Sequence, residues 1–574
     1  MRVCLLMAGT PRSTPRRVLD RVRRSLRPGD RAPDHATAPE PTSEPPVRRR
    51  DPVPELSPPP DVLHVVLVEG IPMEFGGRTA SILAKCRTLY EQGGVRSVVL
   101  VRNHAHTLPR AVEGMRRRGQ LAEGVEIRWL MDAYPDGTEP VQPPPPTRET
   151  PADLEARGWV RHGRALVLRE GGVNREVRRF RDGALEHVDS YDADGRRVRR
   201  EEYDDTGRLR RTLRWEPDVT TPVEQVFHRR SGASMYALTL APPHGARGRP
   251  REVSVTLFDE AGEVEATHEG SLTPVVHRAL DELTAGRPTV LAVEARQVDR
   301  DVFGYRRDHV RTCVVAHNSH LRTASSPTDD LRGSFRRLFR HLDAVDAMVF
   351  LTDSQRADAE ALLGRRDTFW VMPHAAPGTA THVDVERDPR LVIMMGRLAG
   401  QKRTDHGIRA FARVLEQVPD ARLQIFGEGV RRAELQQLVD ELGVGGSVTL
   451  EGFTQQPGRE YRRATLCLQS SLFEGAPMVF VEALRQACPI VSYDIRYGPA
   501  DIVDHGVNGF LVPDGDIEGL AARTVQVLQD PDLARRLSQG CAGVDERFGQ
   551  EAFAARWFHL FRTLHPDLPA AGRG

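Results

Sequence analysis

LVIMMGRLAGQKRTDHGIRAFARVLEQVPDARLQIFGEG, residues 391–429, is the stretch that decides the fold. It opens on the apolar run Leu391–Met395, which is short, ends in a glycine and reads as a buried strand. Asp405–Leu415 follows with Ile408, Phe411 and Val414 broadly on one side, a helical spacing. ARLQIFGEG (421–429) is then a second strand, and it too runs out into glycines. Strand, loop, helix and strand in this order is a parallel crossover. The unit repeats towards the C-terminus, with a helix at Arg431–Leu442, a short strand at Val448–Leu450 and ATLCLQSS at 464–471. A helix from about Met478 to Cys488 and the strand PIVSYD (489–494) complete it. Repeats of this length make a doubly wound α/β domain. The last helix, Glu551–Leu564, shows Phe553, Trp557, Leu560 and Phe561 on one side and must pack against something.

The same grammar recurs at the other end. VLHVVLVEG (62–70) reads as a buried parallel strand, IPMEFGGRT as a loop, and Ile82, Leu83, Cys86 and Leu89 as one face of a helix before the run Val98–Val101. That opening is Rossmann-like, and it is interrupted. Residues 140–151 are proline-rich, and from 160 the period becomes that of antiparallel sheet. Gly183, Gly195 and Gly207 stand twelve apart, YDADGR and YDDTGR are two turns of one kind, and LFDEAGEVEA (257–266) is a further copy. Parallel character returns at Val290–Val293, at Thr312–Ala316 running into HNSH (317–320), at DAMVFLTDSQRADAEALL (346–363) and at TFWVMPHAA (368–376). The reading is a Rossmann-like domain at 61–140 and 281–385 with helix 550–565 packing back on it. A β-meander insert fills 141–280, and a second Rossmann-like domain fills 386–549.

Bulk properties narrow the function classes. A chain of 574 residues is too long for one core and fits two or three domains. Acids and bases number 80 and 81, which gives no support to nucleic-acid binding by overall charge. No run of eighteen apolar residues exists, and Val3–Ala8 is too short for a signal-peptide core. The six cysteines include no CxxC pair, so a reduced, cytoplasmic interior is expected. Residues 1–60 carry thirteen of the 42 prolines and read as a disordered Pro/Arg-rich tail. Its segment 15–27 allows a short basic helix, hence at most a peripheral contact with the inner face of a membrane. Only two residues are lysine, Lys85 and Lys402, so each merits a question about what a compact ammonium does there.

Ligands of open parallel sheets sit beyond the carboxyl ends of the strands, so polar residues just after each strand are the candidates. Gly76-Gly77 before a helix lets backbone approach a phosphate or sugar, or is an ordinary turn. His317 and His320 in HNSH suit hydrogen bonds to sugar hydroxyls, or are structural; a third metal ligand at a familiar spacing is missing. Arg397 and Lys402 after one strand suit a diphosphate, or are solvated charge. Gly427 and Gly429 around Glu428 bring backbone near a nucleoside, or turn the chain into the next helix. The strongest signal is SSLFEGAPMVFVEAL (470–484). Glu474 lies in a loop with Gly475, Ala476 and Pro477, and Met478 begins a helix that carries Glu482. That helix is otherwise apolar there, so the Glu482 charge needs a partner, and the free N–H groups at its start suit a phosphate.

Taken together, GRLxxxK (396–402), FGEG (426–429), the Glu474/Glu482 pair and YGPADIVDHGVNGFLVPDGD (497–516) resemble retaining glycosyltransferases of the GT-B fold, family 4, which use nucleotide-diphosphate sugars. The Gly-Gly loop, the insert, HNSH and FLTDSQRAD (350–358) are similar to the bacterial poly(glycerol phosphate) and poly(ribitol phosphate) sugar transferases of wall teichoic acid. The related serine-rich-adhesin glucosaminyltransferases share much of this layout.

The resemblance implies a GT-B fold with the donor, a UDP-sugar or similar, in a cleft between two Rossmann-like domains, and neither metal nor cofactor. Arg397 and Lys402 hold the diphosphate with backbone N–H groups near Gly475–Met478. Glu482 holds the ribose, Glu474 the transferred sugar, and His317 or His320 contacts that sugar. Retention through same-face attack is implied as well. An arginine-rich insert then fits an anionic cell-wall polymer as acceptor, or a platform for homo-oligomers. The competing readings are a protein O-glycosyltransferase acting on Ser/Thr-rich adhesin and a catalytically silent GT-B binding module.

Overall fold

The computed structural model describes residues 51–72, 78–104, 108–133, 149–204, 206–242, 250–323, 329–375 and 385–569. The chain divides into two compact units, 61–312 and 313–566, the second also holding 51–60.

In the first unit, β1 (Leu63–Val68), β2 (Ser97–Val101) and β3 (Val125–Trp129) lie in a parallel sheet with β14 (Thr289–Val293), in the order β14-β1-β2-β3. Every residue of β1, β2 and β14 is buried, which is why these strands read as apolar runs. The exception in β1, His64, meets the Ser97 hydroxyl through Nδ1 at 2.9 Å, and burial pushes its pKa well down. The helix Arg78–Gly93 buries the expected face of Ile82, Leu83, Cys86 and Leu89. It also buries Lys85, whose ammonium is paired with Glu294 just past β14.

Between β3 and β14 run ten antiparallel strands, β4 to β13, from Val160–His162 to Val264–Glu269, each pairing with the next in sequence. This is the expected meander, and its turns explain its sequence repeat. Asp192 Oδ1 accepts the N–H groups of Asp194 and Arg196, Asp204 Oδ1 those of Thr206 and Arg208, and Asp259 Oδ1 those of Ala261 and Glu263. In each turn the glycine, 195, 207 or 262, takes a left-handed φ of +76° to +86° that a side chain resists. YDADGR, YDDTGR and FDEAGE are therefore one turn used three times. The arginines are largely matched by acids: Arg200 grips Asp189, Arg178 bonds Glu149 and Glu176, and Arg211 bonds Glu202. Arg102, just past β2, ties the meander to the parallel sheet through Glu252 and Asp301.

In the second unit, β15 (Val310–Ala316), β16 (Ala347–Phe350) and β17 (Phe369–Val371) are parallel, in the order β17-β16-β15. Six further parallel strands follow: β18 (Asp388–Met395), β19 (Arg422–Phe426), β20 (Val448–Gly452), β21 (Ala464–Gln469), β22 (Ile490–Asp494) and β23 (Gly509–Pro513). Their order is β20-β19-β18-β21-β22-β23, so the strand order reverses between β18 and β21. A doubly wound sheet opens its ligand crevice at that reversal. Helix Thr404–Gln417 covers the sheet with the predicted face of Ile408, Phe411 and Val414 buried against Val392 and Met394. The last helix, Gln550–Leu564, buries Phe553, Trp557, Leu560 and Phe561, and its His559 stands edge-on to Trp370 of β17. The helix after Pro477 is shorter than its apolar run: it stops at Arg485, and Ala487 turns left-handed (φ 54°) to start the descent to β22.

Candidate active site

Two loops meet where the strand order reverses. The first follows β18. Its Gly396 N–H donates to the Phe426 carbonyl at 3.0 Å and Leu398 N–H to the Glu428 carbonyl at 2.9 Å, so it is zipped to the FGEG loop after β19. The approach leaves no room for side chains. A Cβ on Gly427 would stand 1.9 Å from the Gly396 carbonyl oxygen, and one on Gly429 would stand 2.3 Å from that of Leu398. Gly427 also holds a φ of +137°. Gly396 in turn clears the path of Lys402, since a Cβ there would sit 3.3 Å from the lysine Cε.

The second loop, Ser470–Pro477, follows β21 and is fastened by residues of the first. Gln401 Nε2 donates to the Phe473 carbonyl at 2.9 Å. Arg403 Nε and Nη2 donate to the carbonyls of Ser470 and Ser471 at 3.0 and 2.8 Å. Gln469, at the end of β21, reaches the Met395 carbonyl at 3.0 Å. With both loops fixed, Lys402 Nζ meets Glu474 Oε1 at 2.6 Å, the two side chains only 16% and 11% exposed. Glu482 lies on the second turn of helix Met478–Arg485. Burial pushes its carboxyl above the ordinary range, while the positive charges of Arg485 and Lys402 pull it back. One ammonium thus stands within electrostatic reach of both expected acids. Pro477, the N-cap residue of this helix, gives its first N–H groups no side-chain cap.

The other expected site residues fall into three groups. Arg397, on the turn with Gly396 and Leu398, is exposed and makes no ion pair with a described residue. Gly475 is buried, with Ala476 and Met478 half-buried and Pro477 packed on Gly498, where a Cβ would come within 2.3 Å of the proline ring. A Cβ on Gly475 would stand 2.1 Å from the carbonyl oxygen of His317, so the acidic loop lies directly on the strand-end loop after β15. Gly76 and Gly77 lie outside the described residues.

The two histidines differ sharply. His317 is half-buried and stacks on His374, with ring centres 5.4 Å apart. His320 is fully buried among Phe335, Phe339 and Tyr497, and desolvation lowers its pKa to about 3. It is a neutral ring in an aromatic cage. Sequence reading also passed over Gln401, Arg403, Gln469 and Tyr497. They sit beside or within the quoted motifs, but their partners are tens of residues away, and spacing does not reveal them.

Residues 382–541 match the family described as "Glycosyl transferases group 1". The chain is 22% identical over 508 residues to the poly(glycerol-phosphate) alpha-glucosyltransferase of Bacillus subtilis (strain 168), covering 87% of this chain and 74% of that protein. Several other curated relatives are spanned over 25% to 53% of their length. Among solved structures, TarM of S. aureus superposes with a TM-score of 0.71 at 15% identity, over 87% of this chain and 99% of that one. The pneumococcal O-GlcNAc transferase GtfA, solved in complex with UDP and GlcNAc, gives 0.66 at 16% identity, over 88% and 99%. Those likenesses share the architecture built above from strand order. With Lys402 and Glu474 joined at the reversal of the second sheet, they make this chain a GT-B-fold glycosyltransferase that uses a nucleotide-diphosphate sugar and resembles the family 4 transferases of wall teichoic acid.

Proposed function

We propose that the chain moves a hexose or N-acetylhexosamine from a UDP-sugar to a phosphate-containing cell-wall polymer, with retention at the anomeric carbon. The observation that carries this is the Lys402–Glu474 pair, 2.6 Å long, at the reversal point beside Glu482. In this reading Lys402 and the exposed Arg397 take the diphosphate, with N–H groups at the start of helix Met478–Arg485. Glu482 accepts the ribose hydroxyls and Glu474 those of the transferred sugar. His317, beside Gly475, contacts the sugar in preference to the caged His320. The functional partition follows the expected domains, with 386–549 holding the donor.

The bond from the anomeric carbon to the diphosphate oxygen breaks and its electron pair leaves with UDP. The acceptor hydroxyl adds to the same face and gives up its proton to the departing phosphate oxygen. Two cations on the leaving group, Lys402 already held in place, act more strongly as charge separates than before, which is the condition for catalysis rather than mere binding. Glu474 also holds Lys402 in place before donor arrives, so little reorganisation is needed at the moment of reaction.

The polymer assignment draws on the poly(glycerol-phosphate) transferase likeness and on the insert, where residues 160–250 hold nineteen arginines against fourteen acids. A second reading, a peptide acceptor, is favoured by how many of those arginines already face acids, and by the likeness to the UDP-N-acetylglucosamine–peptide N-acetylglucosaminyltransferase GtfA subunit of Streptococcus gordonii. The test is to offer radiolabelled UDP-glucose and UDP-N-acetylglucosamine with poly(glycerol phosphate), poly(ribitol phosphate) or a serine-rich peptide. Label entering either polymer and not peptide is expected; label entering peptide alone overturns the polymer assignment. A silent binding module would transfer none.

A further inference from the structure

A closed ring of contacts surrounds the Glu474 loop. The Glu474 carbonyl accepts the Tyr497 N–H at 3.3 Å. The Tyr497 hydroxyl donates to Asp358 Oδ2 at 2.7 Å, on helix Asp353–Leu363. Gln355 of the same helix donates through Nε2 to the Asn318 carbonyl at 2.8 Å. Asn318 follows His317, whose own carbonyl abuts Gly475, and Gly475 follows Glu474. A second tie crosses the ring. Asp501 Oδ1 accepts the Ser354 N–H at 3.0 Å and its other oxygen takes the Ser354 hydroxyl, so the helix that begins beside β16 is capped by a carboxylate from the 497–501 turn. The Tyr497 ring is braced by the face of His320, 5.5 Å away and 18° from parallel.

What the ring omits is as informative as what it joins. The expected nucleotide-holding side chains Arg397, Lys402 and Glu482 take no part in it. Its members hold the backbone of the Glu474–Gly475 loop, and so the root of the Glu474 side chain, against one strand end, that of His317. A bond set of this kind acts first on how the sugar sits, because the nucleotide keeps its side-chain partners, and displacements of about 1 Å at a reacting centre cost on the order of 100-fold in rate.

We propose that Tyr497 and Asp358, with Asp501 and Ser354 as the second tie, are positioning residues that hold the Glu474 loop against the His317 loop in the geometry needed for sugar transfer. The proposal rests on the transferase reading above. Its test uses the purified full chain, UDP binding by calorimetry, and turnover of UDP-glucose and UDP-N-acetylglucosamine with and without poly(glycerol phosphate).

Tyr497→Phe keeps the stacked ring and removes only the hydroxyl; Asp358→Asn alters the acceptor. Each is expected to lower kcat at least about tenfold, to leave the UDP Kd within about twofold, and to raise the share of donor lost to water. Asp358 also pairs with Arg496 at 3.5 Å, so Asp358→Asn should be the slower single variant, and the double variant should be no slower than it, since the Tyr497 bond is already lost there. Ser354→Ala, which keeps its N–H on Asp501, should show a smaller shift in the same direction. Unchanged kcat and partition in Tyr497→Phe and Asp358→Asn overturn the proposal. So does a joint fall of kcat, UDP affinity and melting temperature in all three variants. Inactive wild-type chain, or Glu474→Gln as active as wild type, instead removes the transferase reading and this proposal with it.

Discussion

Lys402 is one of two lysines in a chain with 79 arginines, and the structure gives a reason for a compact ammonium. Its stem runs past Gly396 and its Nζ lands on Glu474, a path a flat guanidinium does not follow. Lys402→Arg should therefore remain at least about tenfold below wild type in kcat, and Lys402→Ala and Glu474→Gln about 100-fold or more below, read by UDP release. Glu482 carries a pH dependence of known sign. Its ionised form is the one that accepts ribose hydroxyls, and burial raises its pKa. UDP affinity should thus begin to weaken, as pH falls, above the ordinary glutamate value of about 4.3, and Glu482→Gln should flatten the profile. Stability runs the other way for this group, because ionising a buried carboxyl costs free energy above its unfolded pKa.

His320 and His228 have folded pKa values of about 3 and about 4, lowered by burial, and His64 is lowered too. The unfolded chain binds more protons below about pH 6.5, so the melting temperature should fall as pH drops from 7 to 4.5. At this scale Glu482 stood out because it interrupts an apolar helix, Glu474 because it sits in the glycine-proline loop before it, and Lys402 because lysine is rare. The histidines looked equivalent in HNSH; only burial separates His317 from His320.

At the scale of elements, the site depends on glycines where two chain segments nearly touch. Gly427→Ala places a methyl group 1.9 Å from a backbone carbonyl and Gly475→Ala one 2.1 Å from another, and neither neighbour is a side chain that can rotate away. Both variants should lose more than about tenfold in kcat, while Gly446→Ala, with nothing near, should match wild type. Strand ends and helix faces were readable from period alone: Ile408, Phe411 and Val414 are buried as their spacing requires. The Asp-x-x-Gly turns were readable as turns before their Asp side-chain bonds were known. The stitching by Gln401, Arg403 and Tyr497 was not, because its partners lie on other elements and leave no local pattern.

For the whole molecule, the parallel sheets and the ten-stranded meander follow from the change of hydrophobic period at 160 and back near 290. The insert's role is less legible, since a count of arginines says nothing of the acids facing them across strands. If the meander holds a polyanion, the acceptor KM should rise steeply with salt, and replacing exposed insert arginines should raise it further while donor KM stays put. Among the described residues no helix is long and apolar enough to cross a membrane. Arg397, Lys402, Glu474 and Glu482 are assigned to one donor, and a crystal structure of the chain with UDP bound decides whether they share it. Diphosphate oxygens within about 3 Å of Lys402 Nζ and a ribose hydroxyl on the Glu482 carboxylate are expected; UDP seated elsewhere, with the Lys402–Glu474 pair untouched by it, would overturn the assignment.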